Sequence, residues 1–126
     1  MSEVLDLFSH HRQRAKGIKG EREVRKVLEN HGVAYKWMGY EDQRYHGAKA
    51  DVITPHYAIE IKRREKGGFL SEWWAQASTA AAKYGLRPAV AYRFDHKKWR
   101  VRVVVRTING CEVIGDLSLD DWAETL

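Results

Sequence analysis

The residues of this sequence best suited to chemistry are an aspartate and, after eight intervening residues, a Glu-x-Lys sequence. Asp51 opens a short segment rich in β-branched residues, and Glu60 and Lys62 lie in a second such segment, with Pro55 between the two. This pattern predicts two neighbouring strands joined by a turn. Because side chains alternate along a strand, Glu60 and Lys62 are expected on the same face.

The turn predicts which residues face each other across the two strands. If Pro55 and His56 form a two-residue loop, Thr54 pairs with Tyr57, and Asp51 falls opposite Glu60. Directly opposed side chains have Cβ atoms roughly 5 Å apart, so both carboxylates can bind one divalent cation. Without a cation the two charges would repel each other. The hairpin therefore predicts a metal-dependent phosphodiesterase site, with a strand pair that exposes charges to solvent as the alternative.

Length and composition predict a single domain. The chain has 126 residues, of which 44% are hydrophobic, and no apolar run approaches the length of a membrane span. Cys111 is the only cysteine and the six histidines show no metal-ligand spacing, so neither a disulfide nor a zinc site is expected. We expect an intracellular, cytoplasmic protein, in the host cytoplasm if a virus encodes it. The predicted organisation is an N-terminal arm at 1–15, a catalytic core at 16–107 and a C-terminal extension at 108–126.

Positive charge is concentrated along the chain. The net charge is +5, residues 12–26 carry seven Lys or Arg against two Glu, and residues 93–106 carry six further cations. From Cys111 onward there are five acids and no Lys or Arg. Such segregation favours a polyanionic partner such as nucleic acid over a generally basic surface.

The elements that must position these residues follow from periodicity and turn signals. We predict helices at about 19–31, 71–84 and just after Ser118, with Ser71 and Ser118 as N-caps. The predicted strands are 33–38, the two strands of the hairpin, 88–94 and 99–107, with a possible edge strand at 111–114 after the Asn109-Gly110 turn. Residues 39–49 are predicted to form a loop that leads to Asp51. Trp73 falls on the apolar stripe of its helix, which leaves Trp74 either exposed, as at a subunit contact, or packed under a neighbouring loop.

Several further motifs complete a recognisable pattern. They are Lys16-Gly17 followed by Glu21-Arg22, the segment Gly47 to Asp51, the segment Ile59 to Lys62, Ala82 to Ala91, and Lys98-Trp99-Arg100. Over about residues 16–107 the chain resembles the PD-(D/E)xK nuclease superfamily, and within it the archaeal-type Holliday junction resolvases, which are also found in viruses. The resemblance implies an α/β fold, with a restriction-endonuclease-like core built on a mixed five-stranded sheet flanked by helices. Ala50 stands where the superfamily often has proline.

The resemblance also implies roles for individual residues. The catalytic set would be Glu21, Asp51, Glu60 and Lys62, with Asp51, Glu60 and Glu21 binding Mg²⁺, for which Mn²⁺ would substitute. Lys62 would stabilise charge or orient the attacking water, and Glu23 is the weaker candidate for the helix glutamate. The basic residues expected to contact DNA are Arg12, Arg14, Lys16, Lys19, Arg22, Arg25, Lys49, Arg63 and Arg64.

The function implied is that of a Holliday junction resolvase, a structure-selective endonuclease that acts as a homodimer on branched DNA. Two alternatives stay open. One is another endonuclease of the same superfamily, of restriction or repair type, acting on duplex or flap DNA, because substrate choice depends on loops and dimer geometry. The other is a DNA-binding protein without catalysis.

Overall fold

The computed structural model describes the backbone of residues 2–38 and 49–126, and the side chains of residues 16–38 and 49–126. These residues form three helices and six strands. The helices are α1 (Ser2–Asn30), α2 (Ser71–Tyr84) and α3 (Leu119–Glu124). The strands are β1 (Lys36–Trp37), β2 (Val52–Ile53), β3 (Tyr57–Arg64), β4 (Arg87–Phe94), β5 (Arg100–Ile108) and β6 (Cys111–Ser118). No described helix is both long enough and apolar enough to cross a membrane.

The strands form one mixed sheet in the order β1-β2-β3-β4-β5-β6. Strands β3 and β4 are parallel, because α2 connects them, and every other neighbouring pair is antiparallel. The predicted mixed α/β architecture is confirmed, with one correction to the strand count. The sheet has six strands rather than five, because the chain after Asn109-Gly110 pairs with β5 along eight residues instead of forming a short edge.

Two layers of apolar side chains cover the faces of the sheet. On one face, Val24 and Leu28 of α1 and Trp122 of α3 pack against Ile59 and other inward residues of β3, β4 and β5. On the other face, α2 packs through Trp73 and Ala77 against Val90 and Tyr92 of β4. Strand β3 lies between both layers, and its alternate side chains therefore meet different helices.

Helix α1 is longer than predicted. The predicted start near Lys19 is wrong, since the helix begins at Ser2, and the backbone of 2–15, the predicted arm, continues α1 toward the N-terminus. Residues 2–16 contain neither proline nor glycine, so nothing in the backbone interrupts the helix there. The predicted end is nearly correct, because the helix ends at Asn30 and Gly32 follows with φ of 68°. The N–H of Val33 then donates to the carbonyl of Leu28 at 2.9 Å, which shortens the predicted strand 33–38 to Lys36–Trp37.

Helix α2 has the predicted bounds but a different N-cap. Leu70 occupies the N-cap position without a side-chain hydrogen bond, so the predicted Ser71 cap is wrong and Ser71 is the first helical residue. Gly85 ends the helix in the left-handed conformation, as its sequence position indicates. Trp73 is buried and Trp74 is partly buried against the same aromatic cluster, so Trp74 is packed rather than fully exposed.

The C-terminal segment, the predicted extension at 108–126, packs against the main core through α3. Asn109 and Gly110 adopt φ of 50° and 80°, which suits the tight hairpin turn between β5 and β6. The Ser118 side chain accepts a hydrogen bond from the N–H of Asp121 and caps α3, as predicted. Leu119, Trp122 and Ala123 are buried, so residues 108–126 contribute to the main core.

Candidate active site

The β2–β3 hairpin has the predicted register. Val52 pairs with Ile59 and Ile53 with Ala58, and this register places Asp51 beside Glu60. The N–H of Thr54 donates to the carbonyl of Tyr57 at 2.9 Å and closes the loop at Pro55 and His56.

Asp51 itself lies in a bend directly before β2 rather than on a strand. Its carboxylate accepts the N–H of Ile61 at 2.8 Å, and its own N–H donates to the carbonyl of Ile59 at 3.0 Å. The side chain of an aspartate competes with regular pairing when it bonds to nearby backbone. These two bonds fix the carboxyl group across the edge of β3.

Glu60 and Lys62 project from β3 on the face that α2 covers. The Lys62 ammonium lies 3.5 Å from a Glu60 carboxylate oxygen and donates to the side-chain oxygen of Gln76 on α2 at 3.4 Å. Both side chains are largely buried, at 15% exposure for Glu60 and 17% for Lys62. Gln76 is a site residue that the sequence analysis missed. An exposed polar residue on a helix gives no signal of this contact in the sequence.

The pKa values of Asp51 and Glu60 are both raised, as expected where two partly buried acids lie close together with too little positive charge beside them. Burial raises the pKa of Asp51 well above its ordinary value, and the charge of Glu60 raises it further, against the lowering effect of the Ile61 N–H. Burial also raises the pKa of Glu60, although Lys62 opposes this. Both shifts show that a single ammonium does not offset two buried negative charges.

Glu21 reaches the same region from α1. Its negative charge contributes to the raised pKa of both Asp51 and Glu60, with a smaller effect than burial has. The Trp37 ring N–H of β1 donates to a Glu21 carboxylate oxygen at 3.0 Å, which fixes the side chain. Trp37 was not singled out in the sequence, since a tryptophan at a strand edge is more often a packing residue.

Glu23, the weaker candidate for this role, is engaged elsewhere. Its carboxylate accepts from the Arg93 guanidinium at 2.8 Å and from the Trp99 ring N–H at 2.7 Å. The separation of Glu21 and Glu23 follows from the helical period, because residues two apart point in different directions.

The donor atoms of the site suit a hard divalent cation. Asp51 and Glu60 offer carboxylate oxygens, which Mg²⁺ and Mn²⁺ prefer over nitrogen or sulfur, and their repulsion would be relieved by a bound cation. Within the part of the chain that the structure describes, no group of three Asp, Glu, His or Cys side chains is close enough to hold a metal. The pair Asp51 and Glu60 is therefore the core of the candidate metal site, and the place of Glu21 in its coordination stays a prediction.

The residues predicted to contact DNA have diverse surroundings. Lys19 and Arg22 are exposed on α1, and Lys49 is partly buried just before Asp51. The Arg25 guanidinium stacks over the Trp37 ring at 4.1 Å from its centroid, next to Glu21. The side chains of Arg12 and Arg14, and most of the predicted 39–49 loop, lie outside the described residues.

Three other residues that were predicted to contact DNA, Lys16, Arg63 and Arg64, interact with side chains of the protein itself. Lys16 forms an ion pair with Asp95 at 2.5 Å. Arg63 is buried, at 9% side-chain exposure, and faces Asp95 at 3.3 Å. Arg64 is partly buried, with its guanidinium 5.8 Å from the centroid of the Trp73 ring.

A mixed sheet between helices, with Asp and Glu-x-Lys on adjoining segments of one hairpin, defines a nuclease fold of the PD-(D/E)xK type. Residues 12–113 match the family model described as "Phage putative PDDEXK endonuclease". Because that match spans most of the chain, the protein belongs to this family of nucleases, whose superfamily generally depends on divalent metal ions.

The structure is also similar to that of Hjc, a Holliday junction resolvase from Archaeoglobus fulgidus, with a TM-score of 0.60. The similarity covers 85% of this chain and 99% of that chain at 20% sequence identity. At this identity the likeness confirms the fold alone. No curated protein matches the sequence.

Proposed function

We propose that this protein is a Holliday junction resolvase, a metal-dependent endonuclease that nicks DNA at four-way junctions in the cytoplasm. The observation that carries the proposal is the pairing of two partly buried carboxyl groups with raised pKa, Asp51 and Glu60, beside the Lys62 ammonium. Strongly perturbed carboxyl groups beside a fixed cation are typical of catalytic sites.

The chemistry proposed is hydrolysis of a phosphodiester by water. Asp51 and Glu60 hold the divalent ion, Mg²⁺ with Mn²⁺ as a substitute, and Glu21 completes the acidic set. Such an ion, when bound, lowers the pKa of a coordinated water and offsets negative charge on the phosphoryl oxygens.

The protein's own side chains fix the geometry of this reaction. The Ile61 N–H holds the Asp51 carboxylate in place. Glu60 and Gln76 together restrict the Lys62 ammonium, which is then oriented before substrate arrives. Charge placed in advance of the reaction needs no reorganisation as the transition state forms, and this is usually the largest contribution to catalysis.

The substrate we favour is a branched DNA bound by a homodimer. A four-way junction has two-fold symmetry, and its resolution requires two paired nicks, which two identical sites related by a two-fold axis would make. The excess of basic residues at 12–26 and 93–106 supports a nucleic-acid partner.

A comparison of substrates tests the proposal against its alternatives. The protein is incubated with Mg²⁺ and a labelled four-way junction, a flap and a plain duplex of the same sequence. Symmetric nicks near the branch point of the junction alone support a resolvase. Equal cleavage of all three substrates would instead favour a general endonuclease, and binding without cleavage in Mg²⁺ or Mn²⁺ would favour a non-catalytic DNA-binding protein.

A further inference from the structure

A charged cavity lies on the other side of β3 from Glu60 and Lys62. It has a volume of about 460 Å³, and its walls are Lys16, Lys19, Arg63, Arg93, Asp95 and His96. Arg63 follows Lys62 along β3, so its side chain projects to the opposite face. Helix α1 covers that face closely, since a Cβ added to Gly20 would stand 3.1 Å from the Cβ of Arg63.

The cavity has an excess of positive charge. Asp95 pairs with Lys16 at 2.5 Å and with Arg63 at 3.3 Å, and Glu23 at its border pairs with Arg93 at 2.8 Å. Four Lys or Arg side chains line the cavity. Among the described residues, the carboxylates of Asp95 and Glu23 are the two acidic groups that pair with them. Two positive charges are therefore left without a matching negative charge.

Arg63 supplies a second observation, a buried hydrogen-bond donor that no described group satisfies. The Arg63 side chain is 9% exposed. Among the buried side-chain nitrogen and oxygen atoms of the described residues, its Nε is the one without a hydrogen-bond partner. A Glu23 carboxylate oxygen lies 3.8 Å from this Nε, beyond hydrogen-bond distance, while the contact with Asp95 is made by a different guanidinium nitrogen. Buried polar groups are almost always bonded, so a buried guanidinium with an unmet donor is unusual.

We propose that this cavity binds a backbone phosphate of nucleic acid, at a subsite separate from the catalytic centre. The inference rests on the proposed function, which supplies a DNA substrate. Lys and Arg donors form charge-assisted bonds to phosphate oxygens, and such contacts fix the register of a nucleic acid without reading its sequence. Because Lys62 and Arg63 are adjacent in β3, a phosphate held here would position the strand whose scissile bond lies on the catalytic side.

Lys19 provides the cleanest test, with Lys26 as the matched control. Both are exposed lysines on α1 with no hydrogen bond or ion pair described for them, but only Lys19 lines the cavity. Binding of a fluorescently labelled four-way junction is measured across a salt series, without divalent ions, for the wild type, Lys19→Gln and Lys26→Gln. Loss of one phosphate contact should reduce the log–log salt slope by about 0.9 in Lys19→Gln. An equal slope in both variants would overturn the proposal.

Inorganic phosphate distinguishes DNA binding from a site for the free ion. Phosphate is titrated into the protein while the NMR signal of the His96 amide is followed, and separately into the labelled complex as a competitor. The proposal expects a His96 shift that Arg93→Gln weakens, and displacement of DNA by phosphate that is weaker for Lys19→Gln than for the wild type. A His96 shift with an unchanged DNA salt slope in Lys19→Gln would show a free-ion site and would also overturn the proposal.

Failure of the nuclease proposal can be recognised separately. The binding measurements require neither metal nor cleavage, so they give an answer even if no substrate is cut. If junctions are cut, Lys19→Gln should raise KM more than it lowers kcat, whereas a loss confined to kcat contradicts a positioning subsite.

Discussion

Asp51 combines two properties that conflict in a metal-free protein, since it is partly buried and it lies beside a second acid, Glu60. The charge of Asp51 is therefore expected to destabilise the metal-free fold. The hydrogen bond that its carboxylate accepts from the Ile61 N–H can also be accepted by an amide oxygen. An asparagine at this position would keep the geometry and remove the charge.

We expect Asp51→Asn to abolish DNA cleavage, with DNA affinity retained or increased, because the charge needed to hold the metal is lost while repulsion of phosphate decreases. The metal-free variant should be more stable than the wild type, because the substitution removes a charge that burial and the neighbouring Glu60 disfavour. Cleavage assays and thermal unfolding in a chelator test both expectations.

Mg²⁺ supplies the control for this variant. Addition of millimolar Mg²⁺ should raise the Tm of the wild type and leave that of Asp51→Asn unchanged, because a ligand stabilises only the state that binds it. A variant that cuts normally, or an equal Mg²⁺ effect on both proteins, would contradict the assignment of Asp51.

The raised pKa values of Asp51 and Glu60 predict an unusual pH dependence of stability. Above the ordinary carboxyl pKa values of 3.8 and 4.5 the unfolded chain has lost these protons while the folded protein retains them. The folded state then binds more protons, so the free energy of unfolding decreases as pH rises through the raised pKa values. Without metal, the Tm difference between Asp51→Asn and the wild type should therefore grow as the pH increases. A difference independent of pH would contradict this cause.

At the scale of elements, α1 contains two glycines in contrasting surroundings. A Cβ added to Gly17 would meet no atom within 4 Å, whereas one added to Gly20 would meet the Arg63 side chain at 3.1 Å and the Trp99 ring at 3.4 Å. Gly20 thus allows the helix to lie directly on β3.

These surroundings predict opposite effects of the same substitution. Gly17→Ala should stabilise the protein by up to about 1 kcal/mol, since alanine is the better helix former. Gly20→Ala should gain the same helix propensity but lose about 1–3 kcal/mol to overpacking against β3. Chemical denaturation of both variants tests this comparison, and equal stabilisation would show that the helix is not closely packed at Gly20.

The elements around the site could be predicted because their signals are local. Alternation and Pro55 suffice for the β2–β3 register, and Gly85 suffices for the end of α2. The start of α1 could not be predicted, because its first residues carry no strong apolar stripe and their helical state shows only as an absence of breakers. The contacts of Gln76 and Trp37 with the site depend on tertiary packing, which no local pattern contains.

For the molecule as a whole, the C-terminal segment closes the main core. Trp122 is 3% exposed and packs edge to face with Tyr57 of β3, with ring centroids 4.9 Å apart. The family resemblance seen in the sequence ended near Thr107, so this support for β3, the strand of the candidate active site, was not expected.

We expect Trp122→Ala to cost about 3–5 kcal/mol, the usual loss for a buried large aromatic residue. Cleavage by this variant should decrease only in proportion to the fraction of protein that is unfolded. Denaturant titration measures the loss of stability, and activity at low temperature, where the variant is folded, measures any separate effect on cleavage. Glu124→Ala, at an exposed neighbouring residue, is the control. A small loss for Trp122→Ala would mean that α3 is dispensable.

The proposed homodimer is tested on the intact molecule. Two paired nicks require two sites in one assembly, so sedimentation at micromolar concentration should show a dimer, alone or with junction DNA. Monomer under both conditions would remove the paired-nick mechanism without affecting the assignment of the catalytic residues.

The alternation of β3 has a consequence for tolerance to mutation. Ile59 and Ile61 are buried in the main core, while Glu60 and Lys62 form the candidate active site on the other face. In a strand with one buried and one solvent-exposed face, every second residue tolerates substitution. In β3 both faces carry residues that are needed, one for the core and the other for the candidate active site. A saturation library selected for cleavage should therefore show an unbroken block of intolerant codons from 59 to 62. In β6, by contrast, the half-exposed Ile114 and Leu117 should accept many replacements.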